Sequence, residues 1–357
     1  MYAGKTAIIN ILVFRPFVQL LFFALLASCA AAPAVAAPRA KPDLRWNRLM
    51  VDGFNCKDVG EYRIAEQKFV AALGLVTRDD DPRKGVTLRM LADCYQENKK
   101  IDAARYCYEQ DAKLSLALGE DFPGRIFDLV PLARCLVQQG QLKGAERALL
   151  TVIPLARQND LLPELAEAME ILGCVYLQEN EPEQAQDMAQ QLEKLPYSIK
   201  TVVPCMNLST CFANKGDIET STRLLKSAIA FQPKSLHGGT DGNTVGDAIC
   251  TLGLRYMKRK DYALAEGVLR RGVSLEAAPG FSNLAVLANI NSWLAICLID
   301  QQRNEEAIPY LQRSLVLRPR IDANRAASNP RYLSRDRMLL DAIKNKKEIP
   351  ADALKIS

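Results

Sequence analysis

Five positions return along this chain, in phase, about every forty residues, and that period decides what it can fold into. In "LADCYQENKKIDAARYCY", residues 91–108, they are Leu91, Ala92, Tyr95, Ala104 and Tyr108. The pattern comes earlier as Gly53, Cys56, Ala65, Phe69 and Ala72. It recurs as Leu132-Ala133, Leu136, Ala145 and Leu149, then as Leu172-Gly173, Tyr176, Ala185 and Leu192. The last copies carry Leu208-Ser209, Phe212, Ser221 and Leu225; Leu252-Gly253, Tyr256, Ala265 and Leu269; and Leu294-Ala295, Leu298, Ala307 and Leu311. The small anchors Ala65, Ala104, Ala145, Ala185, Ser221, Ala265 and Ala307 stand 39, 41, 40, 36, 44 and 42 residues apart. Such a period marks an array of like units.

Each unit reads as two amphipathic helices around a polar turn, such as "KKIDAA", "GQLKGA" or "GDIETS". One hairpin cannot bury its own apolar face, so the copies must stack into an all-α solenoid. Small residues at Ala92, Gly173, Gly253 and Ala295 let the second helix of each pair approach closely. Pro131 falls inside the third copy's first helix, where it should kink or shorten it. After the seventh copy, "NPRYLSRDRMLLDAIKNKKEI" offers Asn329 as N-cap, Pro330 at the first helical position, and Leu333, Leu340 and Ile343 as an apolar face. That is a capping helix.

These residues resemble the tetratricopeptide repeat (TPR) family, whose signature is a large apolar residue, Leu-Gly or Leu-Ala, Tyr, Ala, an aromatic or Leu, and often a terminal Pro. Pro233 and Pro319 take the proline place in two copies. The spacing resembles the extended repeats of kinesin-light-chain-like members. The resemblance implies a right-handed superhelical solenoid of about seven hairpins over residues 46–320, with a cap and basic tail over 321–357.

The first forty-odd residues lie outside that pattern. Lys5 and Arg15 precede the apolar run "FVQLLFFALLA" at 17–27, the length of a signal-peptide core and short for a membrane span. Cleavage after "AVA" at 34–36 makes residues 1–36 a signal peptide and 37–45 an Ala/Pro-rich linker. The competing reading is the lipobox-like "LASC" at 26–29, which makes residues 1–28 a lipoprotein signal and Cys29 an acylated N-terminus. Either way the protein is expected to be exported, periplasmic or secreted, with a lipid anchor in the second case.

Little in the sequence points to catalysis. The chain has one histidine, and no nucleophile motif or phosphate-binding loop accompanies it. The glycine-dense "HGGTDGNT" at 237–244 could pair His237 with Asp241, but its place between the fifth and sixth copies argues for an inter-repeat loop. No Cys/His spacing suits zinc. Cys56, Cys94, Cys135, Cys174, Cys211 and Cys297 all fall late in a first helix, which predicts a packing role for small apolar side chains. Export favours some oxidation, and Cys94 with Cys107, on facing helices of one hairpin, is the best disulfide candidate. No enzyme activity, cofactor or metal is expected.

Binding is therefore the expected function. In TPR arrays the first helices line a concave groove that holds an extended peptide or a partner's helix. Carried onto this chain, the groove positions are Arg89, Asp93, Arg134, Gln138, Glu167, Glu170, Met206, Thr210, Asn214, Asn289 and Ser292. Arg89, Asp93, Arg134 and Glu170 would make an alternating charged stripe that sets the register of a bound peptide. The family's clamp for chaperone tails is not implied, because Met50 and Phe54 stand where it needs lysine and asparagine. Residues 313–355 carry eleven basic and five acidic side chains, a second surface for a membrane or an acidic partner. Nucleic acid is not an expected partner, since no motif for it is present.

Overall fold

The computed structural model describes residues 44–78, 81–117, 119, 124–196, 199–230, 239–275, 283–321 and 330–354. Both signal readings, Cys29, Asn329, His237 and residues 37–43 of the linker lie outside those residues; its last two, Leu44 and Arg45, already belong to the first helix. Seven helical hairpins follow one another, with no strand among the described residues. They are α1 (Leu44–Asp58) with α2 (Tyr62–Leu73), α3 (Pro82–Glu97) with α4 (Ile101–Ala117), and α5 (Gly124–Gln138) with α6 (Leu142–Gln158). Next come α7 (Leu162–Gln178) with α8 (Pro182–Glu193) and α9 (Ile199–Asn214) with α10 (Ile218–Ala230). The last two are α11 (Gly239–Lys258) with α12 (Tyr262–Ser274) and α13 (Leu284–Asp300) with α14 (Asn304–Leu317). A short 3-10 turn at Arg318–Arg320, the capping helix α15 (Pro330–Lys344) and α16 (Ala351–Leu354) complete the chain.

The turn inside every hairpin is built the same way. One residue takes a left-handed backbone: Gly60, Lys99, Gly140, Asn180, Gly216, Lys260 or Gln302. The next N–H then donates back to the carbonyl five residues earlier: Cys56, Tyr95, Leu136, Tyr176, Phe212, Tyr256 and Leu298, at 2.8–3.0 Å. This is a Schellman closure, which satisfies carbonyls left open at a helix end. The accepting residue is a large side chain of the repeat pattern in six copies and Cys56 in the first. One position thus both packs the hairpin and ends its first helix. Glycine holds the left-handed place in only three turns, so the turn periodicity is hidden in the sequence.

All seven small anchors, Ala65 through Ala307, are fully buried, and one continuous core runs from Trp46 to Ala353. A Cβ on Gly53 or Gly253 would lie 2.6 or 2.7 Å from Phe69 or Leu269 of the same hairpin's second helix. Gly173 differs. Its Cβ would lie 2.8 Å from Leu208, on the first helix of the next hairpin, with Met188 of its own hairpin at 3.4 Å. Gly253→Leu and Gly173→Leu are each expected to cost about 1–3 kcal/mol or more by overpacking. Gly267→Leu, where nothing lies within 4 Å of the added Cβ, should cost far less. Denaturant midpoints measure the difference, and three equal values would refute the assigned close approaches.

Several expectations are corrected. Pro131 does not shorten α5, which runs through it from Gly124 to Gln138. The 237–244 segment is not a loop throughout, because α11 starts at Gly239. Val245, Ala248, Ile249 and Leu252 are buried along α11, and tertiary burial outweighs the weak helix propensity of the Gly and Asn positions before them. Cys94 and Cys107 are buried but unbonded. The disulfide is Cys174–Cys211, joining α7 to α9 with Cα atoms 5.8 Å apart. Like positions on consecutive first helices face each other across a repeat boundary, so the phase-locking ascribed to packing also positions this bond. Among the described residues seven further cysteines are thiols, five of them buried. Burial pushes Cys94, Cys107, Cys135 and Cys297 up to about 11, as apolar packing requires. The cap is as expected, with Leu340 and Ile343 buried and Leu333 half-buried.

Candidate functional site

The first helices place the charged groove residues, and the structure pairs nearly all of them internally. Arg89 Nε donates to Asp111 Oδ2 at 3.1 Å and its Nη2 to Asp128 Oδ1 at 2.5 Å. Asp111 and Asp128 are buried, Ser115 donates to Asp128, and Phe127 lies 5.8 Å from the guanidinium. Gly85 makes room for this cluster: a Cβ there would meet the Asp111 carboxylate at 2.5 Å. Asp93 accepts from Lys57 at 2.6 Å and from Tyr108 at 2.7 Å. Arg134 and Glu167 pair at 2.6 Å. The charges of Arg89, Asp93 and Arg134 are thus spent on residues outside the expected stripe, within a hairpin or across to the neighbouring one.

Burial raises Glu170 to about 7, against the opposing field of Arg134 and a hydrogen bond with Asn207. Asp111 is raised to about 8, first by burial and then by its hydrogen bond with Asp128, with Arg89 opposing. The sign for stability follows. An unfolded aspartate titrates near 3.9 and glutamate near 4.3, so between there and these raised values the folded chain holds more protons than the unfolded one. Stability is therefore expected to fall as pH rises through that window and to level off above about 8. Melting temperatures across the window test this, and an Asp111→Asn variant with the parent's slope would refute the assignment. The lowered acids Asp81, Asp217, Glu266 and Glu306 lose their stabilisation only on further acidification, outside this window.

Two groove positions are not in a groove. Ser292 is buried beneath α15, donating to Asp336 at 2.6 Å and accepting from Arg335 at 2.6 Å. Asn289 accepts from Arg318 at 3.3 Å. The capping helix takes the place that a ligand would have on the seventh repeat. Asp336 also accepts from Ser314 at 2.7 Å and Arg318 at 2.9 Å, and Arg335 stacks 4.6 Å from the Trp293 ring centroid.

What remains open is the middle of the first-helix face. Val203, Asn207, Thr210 and Asn214 follow a three- and four-residue spacing, lie on one face of α9, and are all exposed. Met206 is half-buried beside them, Gln138 is exposed on α5, and Asp247 is exposed on α11. Asp247 is nevertheless raised by burial, as happens to a group reachable by water yet ringed by protein. Val203, Asn207 and Asp247 were not among the expected groove residues. In the fifth repeat Ser209 and Ser221 share a hydrogen bond of 2.9 Å, and Arg255 donates to both. Among the described residues no three His, Cys, Asp or Glu side chains are grouped to hold a metal ion, and no helix is long and apolar enough to cross a membrane.

No protein-family model matches the chain, and no curated protein does. Solved structures are similar in fold. Kinesin-light-chain TPR-like repeats from Podosopora anserina align with 52% of this chain and 94% of theirs, at 18% identity and a TM-score of 0.45. A tetratricopeptide repeat protein from Parabacteroides merdae aligns with 84% of this chain and 99% of its own, at 17% identity and a TM-score of 0.40. The C-terminal part of a TPR protein from Cytophaga hutchinsonii covers 78% of this chain and 98% of its own, at 14% identity and a TM-score of 0.46. The assignment of an all-α helical-hairpin solenoid rests on the repeated turns, anchors and pairings themselves.

Proposed function

We propose that this protein is a non-enzymatic exported scaffold that holds another protein along the open first-helix face of its middle repeats. The observation that carries the reading is the α9 stripe Val203, Asn207, Thr210 and Asn214, exposed while the first-helix charges of repeats two to four pair internally. Polar side chains with one apolar member suit a peptide backbone or helix that needs hydrogen bonds and a small apolar contact. Arg134, Glu167 and Glu170 would border the occupant on one side and Asp247 on the other. Export is supported by the signal-like N-terminus and by a disulfide, which persists in oxidising compartments. The "LASC" segment supports a lipid-anchored envelope assembly factor as the second reading, with acylation at Cys29 deciding between them.

The test is a photo-crosslinking residue placed in cells at Thr210, and separately at Tyr106 on the second-helix face, which is exposed. One partner should be captured from Thr210 and not from Tyr106. Val203→Arg with Asn214→Arg should weaken that capture roughly tenfold without moving the melting point. Equal capture from both positions, or none from Thr210, would sink the proposal.

A further inference from the structure

We infer that the Cys174–Cys211 bridge is a thiol–disulfide exchange site, opened in the folded protein by a dithiol of the envelope and so controlling the spacing of α7 and α9. Four observations carry this. Both cysteines are partly exposed, whereas Cys94, Cys107, Cys135, Cys205 and Cys297 are buried. The bond therefore offers what exchange requires, a sulfur that a thiolate can reach. Cys211 lies four residues after Asn207 and three before Asn214, both exposed, so it borders the α9 stripe and is approached from that side.

The seam is also well packed without the bond. Leu172 and Leu208 are fully buried there, and the Cβ site of Gly173 lies 2.8 Å from Leu208. Cys135 occupies the same place one repeat earlier and is an unbonded thiol. The array thus holds a comparable seam without a covalent link, and the bridge is dispensable for the fold.

The step balances. One thiolate of the dithiol attacks a bridge sulfur; the S–S bond breaks and its electron pair stays on the other sulfur, which takes a proton. The second thiol of the dithiol then attacks the mixed disulfide and releases the remaining cysteine. Two electrons and two protons pass to the chain, and the donor leaves as a disulfide. Freed sulfurs must separate to van der Waals contact, and the tight Gly173–Leu208 packing leaves α7 and α9 to part or the side chains to rotate. The exchange does not depend on what occupies the groove; its effect on binding rests on the function proposed above.

The experiment uses the purified oxidised chain alone, with dithiothreitol and a thioredoxin-type dithiol protein as probes. Alkylation mapped by mass spectrometry should show Cys174 and Cys211 becoming labelled without denaturant, while the five buried thiols stay unlabelled. Amide exchange across α9 should then quicken roughly tenfold, with α3 and α4 unchanged. A Cys174→Ala/Cys211→Ala variant should show the faster exchange with or without dithiol, and Cys135→Ala should respond like the parent. A bridge that opens only in denaturant, one that opens without changing exchange in α9, or an oxidised chain lacking it would each overturn the inference. None of these outcomes bears on the crosslinking at Thr210, so the two readings fail separately.

Discussion

Arg89→Glu is expected to unfold the second and third repeats rather than merely alter a binding surface. The guanidinium is the cation that reaches both Asp111 and Asp128, and both carboxyls are buried. Removing one partner from a buried ionic group typically costs about 3–5 kcal/mol, because the remaining charge cannot be solvated. The substitution goes further by setting a third carboxyl against two that already share a hydrogen bond. Those three groups come from α3, α4 and α5, so the damage falls on a repeat boundary. Arg89→Met should be milder, as it removes the cation without adding an anion. Circular dichroism melts and limited proteolysis between residues 81 and 138 are the measurements. A parent-like melt for Arg89→Glu would show that the cluster is not what joins these repeats.

The contrast with Arg134→Glu locates the limit of sequence reading. Arg89 and Arg134 looked equivalent as first-helix charges, one repeat apart. Arg134 pairs with a half-exposed Glu167, and such pairs contribute roughly 0–1 kcal/mol. The difference was set by side chains on other helices. A signal did exist: Asp111 falls on the face of Ala104, Tyr108 and Ser115, all buried, where a carboxylate demands a partner. Asp336 is placed likewise among Leu339, Leu340 and Ile343. The sequence could flag these acids as misplaced but could not name their partners, which apart from Arg335 come from eighteen to forty-four residues away.

By contrast, everything that depends on phase was legible. The anchors, the residues that accept the turn closures and the seven hairpins follow from periodicity, because each unit packs mainly on its neighbours. Coverage was not legible. Ser292 has the phase of a groove residue, yet α15 buries it, and no spacing within one repeat records that the next unit is a cap. The open face moved accordingly from the whole array to α9 and its flanks, where Val203 and Asn207 had not been recognised.

Asp336→Ala should release the capping helix and make the array more prone to self-association than the parent. The carboxylate is fully buried and takes hydrogen bonds from Ser292, Ser314 and Arg318, with Arg335 at 3.4 Å. Without it Arg318 and Arg335 lose the buried carboxylate that both approach, and burial already lowers the pKa of Arg335. The expected cost is about 3–5 kcal/mol, as for a broken buried pair. Because only the last repeat and α15 share this network, the loss should be local. Amide protection should fall in α15 while α3 to α9 stay protected. The surface uncovered includes Trp293 of α13, and the buried Leu339, Leu340 and Ile343 of α15 are released beside it. An exposed patch of that kind drives association, and terminal repeats need a polar outer face for solubility. Sedimentation or size-exclusion chromatography over a concentration series should therefore show larger species for Asp336→Ala. Arg335→Met in the same chain should recover part of the loss, since it removes one of the two cations that lost the carboxylate and keeps an apolar contact on Trp293. An Asp336→Ala chain no more associated than the parent, with α15 protected, would mean that Leu339, Leu340 and Ile343 hold the cap by packing alone, and that the buried ionic network contributes little to closing the array.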